Sequence, residues 1–338
     1  MVIYYMDSAE LIRILDAKNK VVGVTNGITQ NENQFPELSK RSFVGKVCPG
    51  EPDYEAILEL HADVLLTFYY NEAETEKMRE KLPGVAVIFS GIYYPDLSDP
   101  EGSRFTDGVR KLGYILDREN EAEEYVKWRI GWIDEIKSRT EGLSEDEKPR
   151  VFAGGRLKPE SSTYRAYTKI DTFTQMCTMA GGKNIAEDLP EFVQHGMYYV
   201  TLDPEWVVEQ DPEFIFAHDA RTPYGYDMDD LTTMKEESDA FMNRPELVNV
   251  AAVKTGNVYI LNGIFRNDVS GGVIGAVYMA KILHPDLFED LDPETIHQEY
   301  LTMQHFDYDL DEHGTFVYPP IEVNGGLAGI PDRYRDGT

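Results

Sequence analysis

Short apolar runs rich in Val, Ile, Phe and Tyr alternate with stretches of helical period along the chain. The runs are Val2–Met6, Val21–Thr25, Asp63–Tyr70 and Val85–Ser90, then Arg150–Gly155, Glu213–His218 and Asn257–Asn262. Strands alternating with helices predict parallel sheets covered on both faces, an α/β architecture. Between the two groups of runs lies Phe105 to Gly142, where Val109, Leu112, Ile115, Leu116, Tyr125, Trp128, Ile133 and Ile136 recur at helical spacing. No Pro interrupts this segment, so it predicts one or two long helices, ending near Gly142 and followed by the loop Ser144–Pro149. A helix of about 30 residues spans about 45 Å, enough to bridge two lobes.

The two halves repeat a plan. Asp53-Tyr54-Glu55-Ala56-Ile57-Leu58 leads into Asp63-Val64-Leu65-Leu66, and Asp203-Pro204-Glu205-Trp206-Val207-Val208 leads into Glu213-Phe214-Ile215-Phe216 at the same offset. In both, an Asp suits the helix N-cap and a Glu falls in the first turn. A second echo pairs the segment before Val21-Val22-Gly23 with Thr172–Gly182 before Asn184-Ile185-Ala186. The organisation predicted is two similar lobes with mostly parallel sheets joined by a long backbone helix, over residues 1–100, 101–145 and 146–338.

Ligands of open α/β sheets bind at loops beyond the carboxyl ends of the strands. Those loops carry Tyr69 and Tyr70, Tyr93 and Tyr94, then Arg156, Tyr164, Arg165 and Tyr167. They also carry His218, Arg221, Tyr224 and Tyr226, then Arg266, while the loop before Thr201 holds His195, Tyr198 and Tyr199. Tyrosine offers a flat apolar face with one hydroxyl, and arginine a forked donor set for oxyanions. Together they suit a sizeable aromatic or anionic ligand or a metal chelate; packing at strand ends is the plainer use of any one of them.

Composition narrows the field. Sixty-one acids against 32 bases give a formal charge of −29, which disfavours nucleic acid and anionic membrane surfaces as partners. Such acidity is also the composition of proteins from saline habitats. Cys48 and Cys177, one in each half, form no CxxC and are not expected to pair. The start, Met1-Val2-Ile3-Tyr4-Tyr5-Met6-Asp7, lacks a signal-peptide pattern, and no run reaches membrane-spanning length.

No GxxxxGK[ST], HExxH, GxSxG or EF-hand loop occurs, and Gly271-Gly272-Val273-Ile274-Gly275 lacks the dinucleotide-binding spacing and reads as close helix packing. The seven histidines, His61, His195, His218, His284, His297, His305 and His313, show no three-ligand metal spacing. No resident metal or cofactor is expected.

The ordered series Ser8-Ala9-Glu10-Leu11, Pro52-Asp53-Tyr54-Glu55-Ala56-Ile57-Leu58, Met179-Ala180-Gly181-Gly182-Lys183-Asn184-Ile185, Asp203-Pro204-Glu205, Gly256-Asn257-Val258-Tyr259 and Ala280-Lys281-Ile282-Leu283-His284-Pro285-Asp286 spans nearly the whole chain. It resembles the substrate-binding proteins of ABC importers for iron-siderophores, haem and cobalamin. The resemblance implies an extracytoplasmic, monomeric solute-binding protein, not an enzyme, whose targeting segment would lie upstream of this sequence. It implies a metal-chelate cargo between the lobes, with Arg156, Arg165, Arg221 and Arg266 neutralising its charge and tyrosines stacking on it, and only modest closure. It further implies an ABC permease and its ATPase as partners, docked through Glu55 and Glu205. The loop from Arg156 to Lys169 and the insert from Arg221 to Asp230 look longer than the simplest members need. Two alternatives stand beside it: the same fold holding a small oxyanion such as molybdate or tungstate, and a two-lobed tetrapyrrole- or metal-handling enzyme using His195 or His218.

Overall fold

Five short strands, β1 (Val2–Ile3), β2 (Gly23–Val24), β3 (Ser42–Phe43), β4 (Val64–Thr67) and β5 (Ala86–Phe89), form a wholly parallel sheet in the order β3-β2-β1-β4-β5. Val2, Ile3, Leu65 and Leu66 are all buried, the pattern of strands covered on both faces. The computed structural model describes residues 1–338 except 48–49, 68–71, 90–94, 157–160, 195, 220–224, 268, 324 and 336–338, and only the backbone of Glu72, Asp219 and Asn267.

The chain divides into two compact units. The first comprises Met1–Ile130, Asn267–Gly271 and Tyr300–Asp307, the second Gly131–Arg266, Gly272–Glu299 and Tyr308–Thr338. The long polar segment holds two helices, Arg104–Leu116 and Glu119–Thr140. Ser103 caps the first, accepting the Thr106 N–H at 3.2 Å, and Asp117 ends it in the left-handed region at φ 57°. The second runs 22 residues, about 33 Å, and the boundary between the units falls within it.

In the first unit, Val2, Tyr4, Val44, Ile57, Leu65 and Val87 belong to one apolar core. The late segments are tied in by a buried carboxylate. Glu10, 2% exposed, accepts from Gln34 Nε2 at 2.7 Å, Val269 N–H at 2.9 Å and Tyr300 Oη at 2.6 Å. Burial raises its pKa against the opposing effect of those donors. Arg13, also buried, donates to Gln34 O and Gln304 Oε1 and lies between the rings of Phe35 and Phe306, at 4.9 and 4.7 Å.

The second unit has a mixed sheet of β6 (Arg150–Gly155), β7 (Tyr164–Tyr167), β8 (Lys183–Asn184), β9 (Tyr199–Leu202), β10 (Phe214–Asp219), β11 (Val258–Asn262) and β12 (Val317–Tyr318), in the order β12-β11-β10-β6-β7-β9 with β8 also on β6. Strands β6, β8, β10 and β11 are parallel, as the sequence pattern predicts, whereas β7 and β12 run opposite to them and β9, antiparallel to β7, points the same way as β6. One edge of β6 is shared: Arg150 and Val151 pair with β8, and Gly154 with Ala166 of β7. Strand β7 lies inside the stretch expected to be loop. Its four residues, Tyr-Arg-Ala-Tyr, alternate inward and outward, with Tyr164 and Ala166 in the core. Gly272 opens the helix Val273–Leu283, and a Cβ on Gly275 would meet Met176 Sδ at 2.4 Å. The glycine-rich segment therefore serves close helix packing. A short hairpin, β13 (Ile321–Val323) with β14 (Gly326–Ala328), follows near the C-terminus.

Candidate functional site

Glycines make the centre of the site. Strands β7 and β10 flank β6, where Gly154 and Gly155 stand in place of side chains. Tyr167, at the end of β7, thereby reaches His218 on β10, with its hydroxyl 3.0 Å from His218 Nδ1. A Cβ on Gly155 would lie 3.5 Å from the Tyr167 hydroxyl. Phe173 packs edge-on against both rings, its centroid 5.7 Å from that of Tyr167 and 5.8 Å from that of His218.

His218 is 6% exposed. Burial first, and the Arg266 charge second, pull its pKa down to about 3, although the nearby Gly263 backbone acts in the opposite sense. The ring is neutral at physiological pH. The Tyr167 hydroxyl and Nδ1 share one hydrogen bond, the ring's tautomer deciding which of them donates.

The carboxylate of Asp171 holds Arg266. Arg266 follows β11 in the short helix Ile264–Asn267. Its Nε donates to both Asp171 oxygens at 2.9 and 3.0 Å, and its Nη2 donates to Oδ2. The guanidinium also lies 4.8 Å from the Tyr167 ring centroid. Asp171 itself caps the helix Thr172–Met179, accepting the Phe173 N–H at 3.0 Å.

Along β7 the outward face carries Arg165 and Tyr167, and the register sets Tyr167 opposite Tyr199 of β9. Arg165 is exposed and stacks 4.7 Å over the Tyr199 ring, which is 44% exposed. Arg156 is exposed just beyond β6, and its backbone N–H donates to His218 O at 3.1 Å.

Of the residues singled out from sequence, the structure thus gathers Tyr167, His218 and Arg266, with Arg165 and Tyr199 beside Tyr167 and Arg156 at the strand end. Tyr164 is elsewhere. It points into the core at 3% exposure and donates to Glu246 at 3.0 Å, with its pKa raised by burial and then by that carboxylate. Tyr226 lies in another buried group, its hydroxyl 2.7 Å from His297 Nε2. Tyr69, Tyr70, Tyr93, Tyr94, His195, Arg221 and Tyr224 lie outside the described residues. Asp171 and Phe173 were not foreseen as site residues. The pattern Asp171-Thr172 marks a helix start, but nothing local announces a partner 95 positions away.

Glu55 and Glu205 are both exposed in first helical turns, of Tyr54–Glu59 and Pro204–Gln210. Asp53 caps the former, accepting the Ala56 N–H at 3.0 Å. Among the described residues no group of three or more His, Cys, Asp or Glu is placed to hold a metal ion. Among them, too, no helix is long and apolar enough to cross a membrane. Cys177 is a buried free thiol whose pKa burial pushes up to about 12; Cys48 is outside the described residues.

Residues 1–264 match the family described as periplasmic binding protein. The molybdate-binding protein MolA of Haemophilus influenzae is 24% identical over 312 residues, 85% of this chain and 80% of its own. The solved structure of MolA with molybdate bound has a TM-score of 0.68 at 20% identity, over 91% of this chain and 93% of that one. The TroA-like periplasmic binding protein FepB of Veillonella parvula gives 0.70 at 18% identity, over 95% and 94%. CeuE of Helicobacter pylori with Ni(II) bound gives 0.66 at 16%, over 91% of each chain. At these identities the structural likenesses establish the fold.

Proposed function

Because this chain belongs to the periplasmic binding protein family, whose members are extracytoplasmic substrate-binding proteins of ABC importers and not enzymes, we propose that it captures an anionic metal chelate and delivers it to a permease. The supporting observation is the outward face of β7 and β9, where Arg165 stacks on the exposed Tyr199 beside Tyr167 and His218. A flat aromatic surface with guanidinium donors suits a broad chelate more than a compact ion. Arg156 and Arg165, both exposed, supply positive charge at the rim. Glu55 and Glu205 would meet arginines of the permease, which with its ATPase is the expected partner of a monomer.

A small oxyanion is the second reading, favoured by MolA, whose name and bound ligand are molybdate. A thermal-shift panel separates the two, with absorption spectra taken on the same samples. Ligand at 100 times its Kd adds about 2.7 kcal/mol of stability. A rise in Tm with ferric siderophores, haem or cobalamin, and none with molybdate or tungstate, is the expected result. Rises with the oxyanions alone replace the chelate reading by the second.

A further inference from the structure

Asp171 neutralises Arg266, the least exposed of the described arginines of the candidate site. Its side chain is 1% exposed and that of Arg266 is 18% exposed, so the pair is screened from water on the carboxylate side and reaches the site on the guanidinium side. Arg266 spends Nε and Nη2 on this carboxylate. The other polar groups packed here are the Tyr167 hydroxyl and the uncharged His218 ring. Among the described residues, further positive charge comes from Arg156 and Arg165, both exposed, at the strand ends.

Resting on the chelate reading above, we propose that Asp171 is the specificity-determining residue of this site. By cancelling the Arg266 charge it leaves the inner face with donors but no net positive charge. Compact dianions, sulfate and phosphate as well as molybdate, are thereby refused, while a broad chelate still reaches the rim arginines. A dianion against Arg266 would face the Asp171 carboxylate from well within the Debye length of about 8 Å at 0.15 M salt, in a setting where screening is weak. Rejection through an opposed charge is a means of specificity distinct from added attraction.

The test is titration calorimetry of the full chain with sodium sulfate, sodium molybdate and sodium tungstate, on the wild type, Asp171→Asn and Asp171→Ser. Asn and Ser both serve as helix N-caps, so the helix start is kept while the charge is removed; Tm checks the fold of each. The expected result is at least a tenfold gain in oxyanion affinity in a folded variant. Affinities no higher than wild type in the folded variants overturn the proposal, as does tight oxyanion binding by the wild type itself. The two readings fail separately. Wild type that binds no ferric chelate, beside a variant that gains oxyanions, removes the cargo reading and upholds the role of Asp171. Chelate binding by wild type without any oxyanion gain does the reverse.

Discussion

Gly154 and Gly155 are neighbours on one strand, yet adding a methyl group to each has opposite expected effects. A Cβ on Gly154 would lie 2.2 Å from the Arg165 carbonyl oxygen and 2.7 Å from the Phe152 ring. Neither can yield cheaply: the first is backbone of β7, paired here through Gly154 and Ala166, and the second is a core ring 1% exposed. Overpacking of this kind costs about 3 kcal/mol. For a unit of this size each kcal/mol lowers Tm by about 2–4 °C, so Gly154→Ala should melt about 6–12 °C below wild type. At Gly155 the new methyl meets only the Tyr167 hydroxyl at 3.5 Å, an ordinary contact. A strand-interior Gly costs about 0.5–1 kcal/mol relative to Ala, so Gly155→Ala should match or slightly exceed wild type. Thermal unfolding followed by near-ultraviolet circular dichroism reads both. A Gly154→Ala midpoint within about 1 °C of wild type, or an equal fall in the two variants, would refute the account of how β6 is spanned.

Other parts of the molecule carry expectations of their own. Truncating Glu10 to Ala strands the donors of Gln34, Val269 and Tyr300 and should cost about 3 kcal/mol in denaturant titration; a loss under about 1 kcal/mol contradicts the network. His218 and His297 have folded pKa values of about 3 against an ordinary value of about 6.5. The unfolded chain therefore binds protons first as pH falls, and stability should drop between about pH 6.5 and pH 3, by at most about 1.4 kcal/mol per pH unit for each ring. Chemical denaturation across that range should show a shallower slope for His218→Phe, and an unchanged slope counts against a neutral buried ring. Arg165→Ala should leave stability within about 0.5 kcal/mol while weakening a bound ferric chelate about tenfold in calorimetry; undiminished affinity removes the rim from the site. With a formal charge of −29, added NaCl should raise Tm by screening self-repulsion, which a salt series in the same melting assay decides.

Each of the seven apolar runs read from sequence coincides with a strand, because burial on both faces writes a continuous apolar signal. Strands without that signal escaped. Tyr164–Tyr167 and Tyr199–Leu202 each have two buried and two less-buried residues, and Ser42–Phe43 is an exposed edge of two, so each resembles a loop over so few positions. The site divides on the same grounds. The segments read as loops beyond strand ends singled out His218, Arg165, Tyr199 and Arg266, which the structure places on β10, β7, β9 and the helix Ile264–Asn267. Loop position could not tell that Tyr164 and Tyr167, three apart on one strand, face opposite sides of the sheet, since that follows from an antiparallel strand not foreseen. Nor could it pair Arg266 with Asp171, because an Asp before a helical run is sufficiently explained as a cap.

The interleaved make-up of the first unit bears on how the chain is born. Glu10 is among the earliest residues to leave the ribosome, but its partners Val269 and Tyr300 come 259 and 290 positions later. Domains made of one continuous stretch commonly fold in order of synthesis; this one cannot finish until most of the polypeptide exists. A nascent chain halted anywhere before residue 267 holds a carboxylate with two of its three donors still unmade. For a member of an extracytoplasmic family, the first unit thus stays incomplete through most of the chain's synthesis.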